Sequence, residues 1–340
     1  MLEVAKKIRV REGCQPDSFP VGDLLAAAEP VVLKGMVKDW SLVKAGLRST
    51  EEAMTYLRSF YNGKTVGAYF GGPEIAGRLF YNDDVTDLNV DVRRAPVTEV
   101  LDKIHEHLHD DRPPTFYIGS TTIDACLPGL RKENDVAFGD HGFDPLASIW
   151  IGNRTLVSCH HDAPNNLACC VVGRRRFTVF PPEQIINLYP GPLDPTPGGQ
   201  AISMVDFANP DFEKYPRFRD AIAAGQVAEV EPGDALFLPS LWWHQVESLS
   251  PFNVLINYWW STSPKFMGTP MNVLHHALLS LRDRPENEKR AWKSIFDYYV
   301  FGPSGRAAEH LPEHARGALA PIDDATARQI RAMLLNNLNR

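Results

Sequence analysis

From residue 115 to residue 262 the chain reads as one short strand after another, with glycine and proline between them. The runs are TFYIGS, SIWIGN, TLVSCHHD, NLACCVV, RRFTVF, VAEVEPGDALFLP, HQVESL and NVLINYWW. Short β segments in such close order predict a sandwich or barrel. One stretch, 181–226, breaks the pattern. It is rich in proline, too irregular for sheet and long enough to be a functional loop.

The flanks read differently. A small helix around VGDLLAAAE precedes the extended PVVLKG (30–35). STEEAMTYLRSFY opens with a capping box from Ser49 to Glu52 and continues as helix. KTVGAYF and GRLFYND predict strands, and 95–110 predicts a helix. That helix carries His105, His107 and His109 at alternate positions, about 200° apart, so they do not converge on one ion. Beyond Pro264 the apolar spacing becomes helical: Met271, Val273, Leu274, Ala277, Leu278 and Leu281 form one stripe, and Trp292, Ile295, Phe296, Tyr299 and Val300 another. Ile330, Met333, Leu334 and Leu338 extend the pattern into the tail. Stripes this apolar must be buried on something.

The chemistry concentrates in SCHHDAPNN, residues 158–166. Residues i and i+2 of a strand share a face, so His160 and Asp162 point together and His161 points away. An imidazole and a carboxylate suit a divalent ion of intermediate softness, and a third ligand is needed. His244 is the candidate. It ends a Gly-x5-Pro-x4-His run in EPGDALFLPSLWWHQVES, where a turn and a buried strand deliver one histidine into a barrel. Two histidines and one carboxylate form the facial triad of non-haem Fe(II) oxygenases. The alternative is an ordinary polar pair on a strand.

HHDAPNNLACCVVGRRRFTVFPPEQIINLYPGP, NPDFEKYPRF, PGDALFLPSLWWHQVESL and INYWW together resemble the JmjC/cupin-like 2-oxoglutarate oxygenases, and most closely the branch containing the asparaginyl hydroxylase of the hypoxia-inducible factor. The resemblance implies a mainly β fold with helices: a double-stranded β-helix (jelly-roll) core at 115–262 carrying the 181–226 insertion. N-terminal α/β elements, 1–114, would pack on it, and a C-terminal helical region, 263–340, would form a homodimer. It implies Fe(II) held by His160, Asp162 and His244, with 2-oxoglutarate as cosubstrate. In the family a basic residue on the strand after His-x-Asp grips the far carboxylate of that diacid. Strand alternation puts Arg175 on the same face as Phe177 and Val179, which selects it over Arg174 and Arg176. Arginine can grip a carboxylate through two parallel hydrogen bonds. Elsewhere in the superfamily an arginine ten residues after the distal histidine does this, but that position here is Val254. Asn166 and Asn257 match family asparagines near cosubstrate and iron, and Tyr117 a tyrosine at the distal carboxylate; core packing would also explain the tyrosine. Trp259 matches a residue near the iron. A threonine frequent three residues before the first ligand is Val157 here.

The expected reaction is hydroxylation of an unactivated C–H, with release of succinate and CO2, on a protein or peptide side chain. The alternatives are a small molecule or a tRNA base as substrate, or a non-catalytic cupin-fold binding protein. Cupins that use His-x-His and a nearby Glu are disfavoured, because the next Glu after Asp162 is Glu183. A net charge of −7 argues against nucleic acid as a partner. No run of 18 apolar residues exists to span a membrane. The five cysteines show no CxxC spacing, and the N-terminus has no leader-like apolar stretch, so a cytoplasmic protein with packing thiols is expected.

Overall fold

A computed structural model describes residues 4–139 and 141–339. The chain divides into two compact units, 1–261 and 262–340. In the first unit the strands are β1 (Arg9–Arg11), β2 (Val31–Leu33), β3 (Thr65–Gly71), β4 (Arg78–Leu79), β5 (Asp91–Pro96), β6 (Thr115–Thr122) and β7 (Leu146–Gly152). They continue as β8 (Leu156–His161), β9 (Asn165–Val172), β10 (Arg175–Phe180), β11 (Gln226–Val230), β12 (Ala235–Leu238), β13 (Trp243–Ser248) and β14 (Asn253–Trp260). They form a nine-stranded sheet, β1-β2-β12-β9-β14-β7-β6-β3-β5, and a five-stranded one, β11-β10-β13-β8-β4. This is one of the two forms, sandwich or barrel, that the strand spacing predicts, and it is the jelly-roll that the family resemblance implies. The N-terminal strands β1, β2, β3 and β5 are hydrogen-bonded into the larger sheet.

Both faces of the larger sheet are buried at β9, which is why that strand reads as a continuous apolar run and not an alternating one. Leu167, Cys169 and Val171 of β9 face a core shared with helical residues Leu42, Leu57, Val100 and Leu101. Ala168 and Cys170 face the smaller sheet, where they pack with Phe177, Val179, Val230, Leu236 and Trp242. The parity repeats on β14: Val254, Ile256 and Tyr258 join the first core, Leu255 the second. Positions that alternate with first-core residues here point between the sheets, among them Tyr117 on β6, Trp150 on β7, Asn166 on β9, and Asn257 and Trp259 on β14.

Two local expectations shift. The helix expected at 95–110 runs Val97–Glu106, because 91–96 pair with β3 and His107 leaves the helix to bond Asp110 and stack on Phe116. GRLFYND contributes two strand residues. Arg78 and Leu79 run parallel to β8, and the chain then turns back through a Tyr81–Leu88 bridge. Ser49 caps its helix as expected, accepting from the Glu52 N–H.

The second unit holds helices Met271–Ser280, Glu286–Phe296 and Asp324–Leu338. Its stripes stay open: Val273, Leu274, Ile295, Tyr299, Val300, Met333, Leu334 and Leu338 are all exposed.

Candidate active site

β8 and β13 are antiparallel neighbours, and their register sets His244 directly opposite His160. Cross-strand partners share a face, so the two rings meet with centroids 4.4 Å apart. Asp162, just past the end of β8, joins them. Its Oδ2 lies 3.6 Å from His244 Nε2. One ligand atom from each of the three residues lies within 4.8 Å of the others.

The rings are also oriented. His160 Nδ1 sits 2.8 Å from the Ser158 carbonyl oxygen, and His244 Nδ1 3.0 Å from that of Trp242. A carbonyl accepts only, so each Nδ1 carries the proton and each Nε2 presents a lone pair. This outer-shell device fixes tautomer and direction together. Burial, reinforced by neighbouring His160, pushes His244 down to about 4, which keeps the ring neutral and able to ligate. The segment before His244 is fastened to the loop carrying Asp162. Leu241 N–H donates to the Asp162 carbonyl at 2.8 Å, and Ser240 Oγ to that of Ala163. Leu241 adopts φ +65° to do so, a conformation costly for a side chain with a Cβ and found where tertiary contacts over-determine it. His161 turns to the other face, against Trp243.

Beside the triad a pocket is walled by Tyr117, Trp150, Val157, Asn166, Arg175 and Trp259, with His160, Asp162, His244 and Asn257 also on its surface. Arg175 is 2% exposed. Its Nε and Nη2 find no hydrogen-bond partner among the described residues. Arg176, by contrast, pairs with Glu229 and Glu247 at the sheet surface. An isolated buried guanidinium stays charged and is expensive unless an anion answers it. Trp259 Nε1 is a second buried donor with no partner among the described residues. Burial raises the Tyr117 phenol, with Arg175 opposing weakly, so it remains an O–H. The pocket thus offers donors to an oxygen-rich anion immediately beside two imidazoles and a carboxylate. That donor set suits iron plus a keto-diacid.

Each residue singled out in the sequence — His160, Asp162, His244, Arg175, Asn166, Asn257 and Tyr117 — reaches this one place. Sequence reasoning missed Trp150. Its alternation with Ile149 and Ile151 in SIWIGN was the available signal.

The chain belongs to the family described as "Cupin-like domain", which matches residues 16–266. Its JmjC-type members are iron- and 2-oxoglutarate-dependent oxygenases. The chain is 34% identical to human HSPB1-associated protein 1 over 167 residues, covering 46% of this chain and 33% of that one. It is 35% identical to Lysine-specific demethylase JMJ31 of Arabidopsis thaliana over 174 residues, 50% of this chain and 28% of the relative. It is 27% identical to tRNA wybutosine-synthesizing protein 5 of Gallus gallus over 291 residues, 78% and 85% respectively. The chain therefore spans about a third of the length of the first two relatives.

Proposed function

We propose that this protein is an Fe(II)- and 2-oxoglutarate-dependent hydroxylase acting on a protein or peptide side chain. The observation that carries the reading is the buried, unanswered guanidinium of Arg175 next to the His160–Asp162–His244 cluster. His160 and His244 would hold the metal through Nε2 and Asp162 through a carboxylate oxygen. Bound iron and 2-oxoglutarate supply the oxidising chemistry, which turns the diacid and O2 into succinate and CO2 and places an oxygen atom in a C–H bond. Arg175 neutralises the far carboxylate. Tyr117 and Asn166 donate to ligand oxygens, and Asn257 orients Asn166. Val157, Phe177, Val246 and Leu255 keep water from the pocket. No side-chain acid or base is required.

A protein substrate is supported by kinship with a relative named as a lysine demethylase and by the acidic net charge. A tRNA base is the second reading, favoured by the long match to the wybutosine-synthesizing relative. The insertion 181–226 and the region 68–84 would form the substrate groove; Tyr69 donates to the Pro197 carbonyl at 3.4 Å across them. We assign residues 1–114 to elements packing on the core, 115–262 to the catalytic core and 263–340 to a region that pairs with a second copy of the chain. Five buried free thiols fit a cytoplasmic protein. No helix of the described residues is long and apolar enough to cross a membrane.

The test is succinate formation from 2-oxoglutarate with Fe(II), beside a His160→Ala control, with peptide and tRNA arms. Iron-dependent succinate that disappears in the control supports the reading. Its absence in both arms leaves a binding protein on an oxygenase fold.

A further inference from the structure

We infer that Trp150 is a positioning residue: its indole N–H decides which way the amides of Asn257 and Asn166 face, and so makes Asn166 a hydrogen-bond donor to the cosubstrate. This rests on the 2-oxoglutarate reading above. An indole N–H donates and cannot accept, whereas an amide side chain can present either oxygen or NH2. Trp150 Nε1 donates to Asn257 Oδ1 at 2.7 Å. With its oxygen engaged, Asn257 turns its NH2 the other way, and Nδ2 donates to Asn166 Oδ1 at 3.1 Å. The NH2 of Asn166 is then the group left for the pocket that Asn166 lines.

No other assignment satisfies the chain. Reversing Asn257 sets its NH2 against the indole N–H. Reversing Asn166 alone sets NH2 against NH2. Either leaves like groups facing each other in a buried site, at the cost of unmade hydrogen bonds. The start of the relay is itself fixed. Trp150 is packed by Trp259, with centroids 5.6 Å apart and planes at 87°, and by Tyr117 at 6.1 Å. The consequence is chemical. A free asparagine can turn its oxygen toward a carboxylate and repel it, and one held by this relay cannot.

Calorimetric titration of 2-oxoglutarate into the full chain loaded with Mn(II), without O2, reads this apart from turnover. Trp150→Phe keeps an aromatic ring and removes the donor. We expect Mn(II) affinity within about twofold of the parent and 2-oxoglutarate binding about tenfold weaker, the equivalent of one good hydrogen bond. In an Asn166→Ala background the same change should alter 2-oxoglutarate affinity by less than about twofold, because the relay has lost its end. Unchanged affinity in Trp150→Phe, or independent effects of the two substitutions, overturns the inference. If Trp150→Phe does not fold, Asn257→Ala and Asn166→Ala form the cycle, and additive losses there overturn it equally. A parent protein that does not bind 2-oxoglutarate with Mn(II) sinks the cosubstrate reading itself. Parent binding with an unaffected Trp150→Phe sinks this inference alone.

Discussion

Arg175 carries a permanent charge into a buried place where its Nε and Nη2 have no hydrogen-bond partner among the described residues, so its replacement should separate stability from binding. Arg175→Met removes an unpaired buried cation and should stabilise the ligand-free protein, on the order of 1–4 kcal/mol. The same change should weaken 2-oxoglutarate binding at least a hundredfold while leaving Mn(II) affinity intact. Thermal unfolding and calorimetry on one preparation check both halves. Loss of a metal ligand should do the reverse. Asp162→Ala should reduce metal affinity by more than the roughly 10–100-fold typical of losing an outer-shell partner, as equilibrium dialysis would show. His244 adds a pH dependence to the metal-free protein. Its folded value is pushed down to about 4 from the ordinary 6.5, so between those values the unfolded chain binds the extra proton. Its contribution is therefore complete above pH 6.5 and is lost progressively as pH falls below that value. His244→Gln should flatten that part of the stability–pH curve in denaturant titrations.

At the level of the element, the Pro232-Gly233-Asp234 turn does more than reverse the chain. The carboxylate of Asp234 is 2% exposed and accepts from Lys34 Nζ at 2.9 Å, Gly35 N–H at 2.9 Å and Glu231 N–H at 3.0 Å. It fastens β12 to β2 and sets the start of the segment that ends at His244. Asp234→Ala should cost about 2–4 kcal/mol by stranding two N–H groups, measured as a lower urea midpoint. Much of this architecture was legible in the chain. The period of two in SCHHD selects His160 and Asp162, and the same period in GRRRF selects Arg175. Gly-x5-Pro-x4-His marks the distant ligand. What remained hidden depends on partners remote in sequence. That Trp150 meets Asn257 is set by the pairing of β7 with β14, which no local pattern encodes. The two-residue length of β4 follows from its parallel partner, not from the apolar content of GRLFYND.

For the molecule as a whole, the C-terminal helices pose the clearest demand. A groove of about 700 Å³ there is lined by Val273, Ala277, Leu281, Phe296, Leu334 and Leu338. A stripe this open on one chain calls for a cover, and a second copy of the same chain is the occupant we expect. Light scattering should give a dimer mass, and Leu334→Glu, 43% exposed in the single chain, should give a monomer with unchanged 2-oxoglutarate binding. The first unit carries a different demand. One strand, β9, serves two interiors at once, with Leu167, Cys169 and Val171 turned to the helices and Asn166, Ala168 and Cys170 turned between the sheets. A one-residue insertion early in β9 would put its strand out of phase with both. Asn166 would be driven among aliphatic side chains, and Leu167 would turn into the pocket in the place of Ala168. An insertion before Asn166 would thus upset two unrelated requirements at once, whereas the register shift between β14 and β9 near Val171 lies beyond the pocket-lining residues.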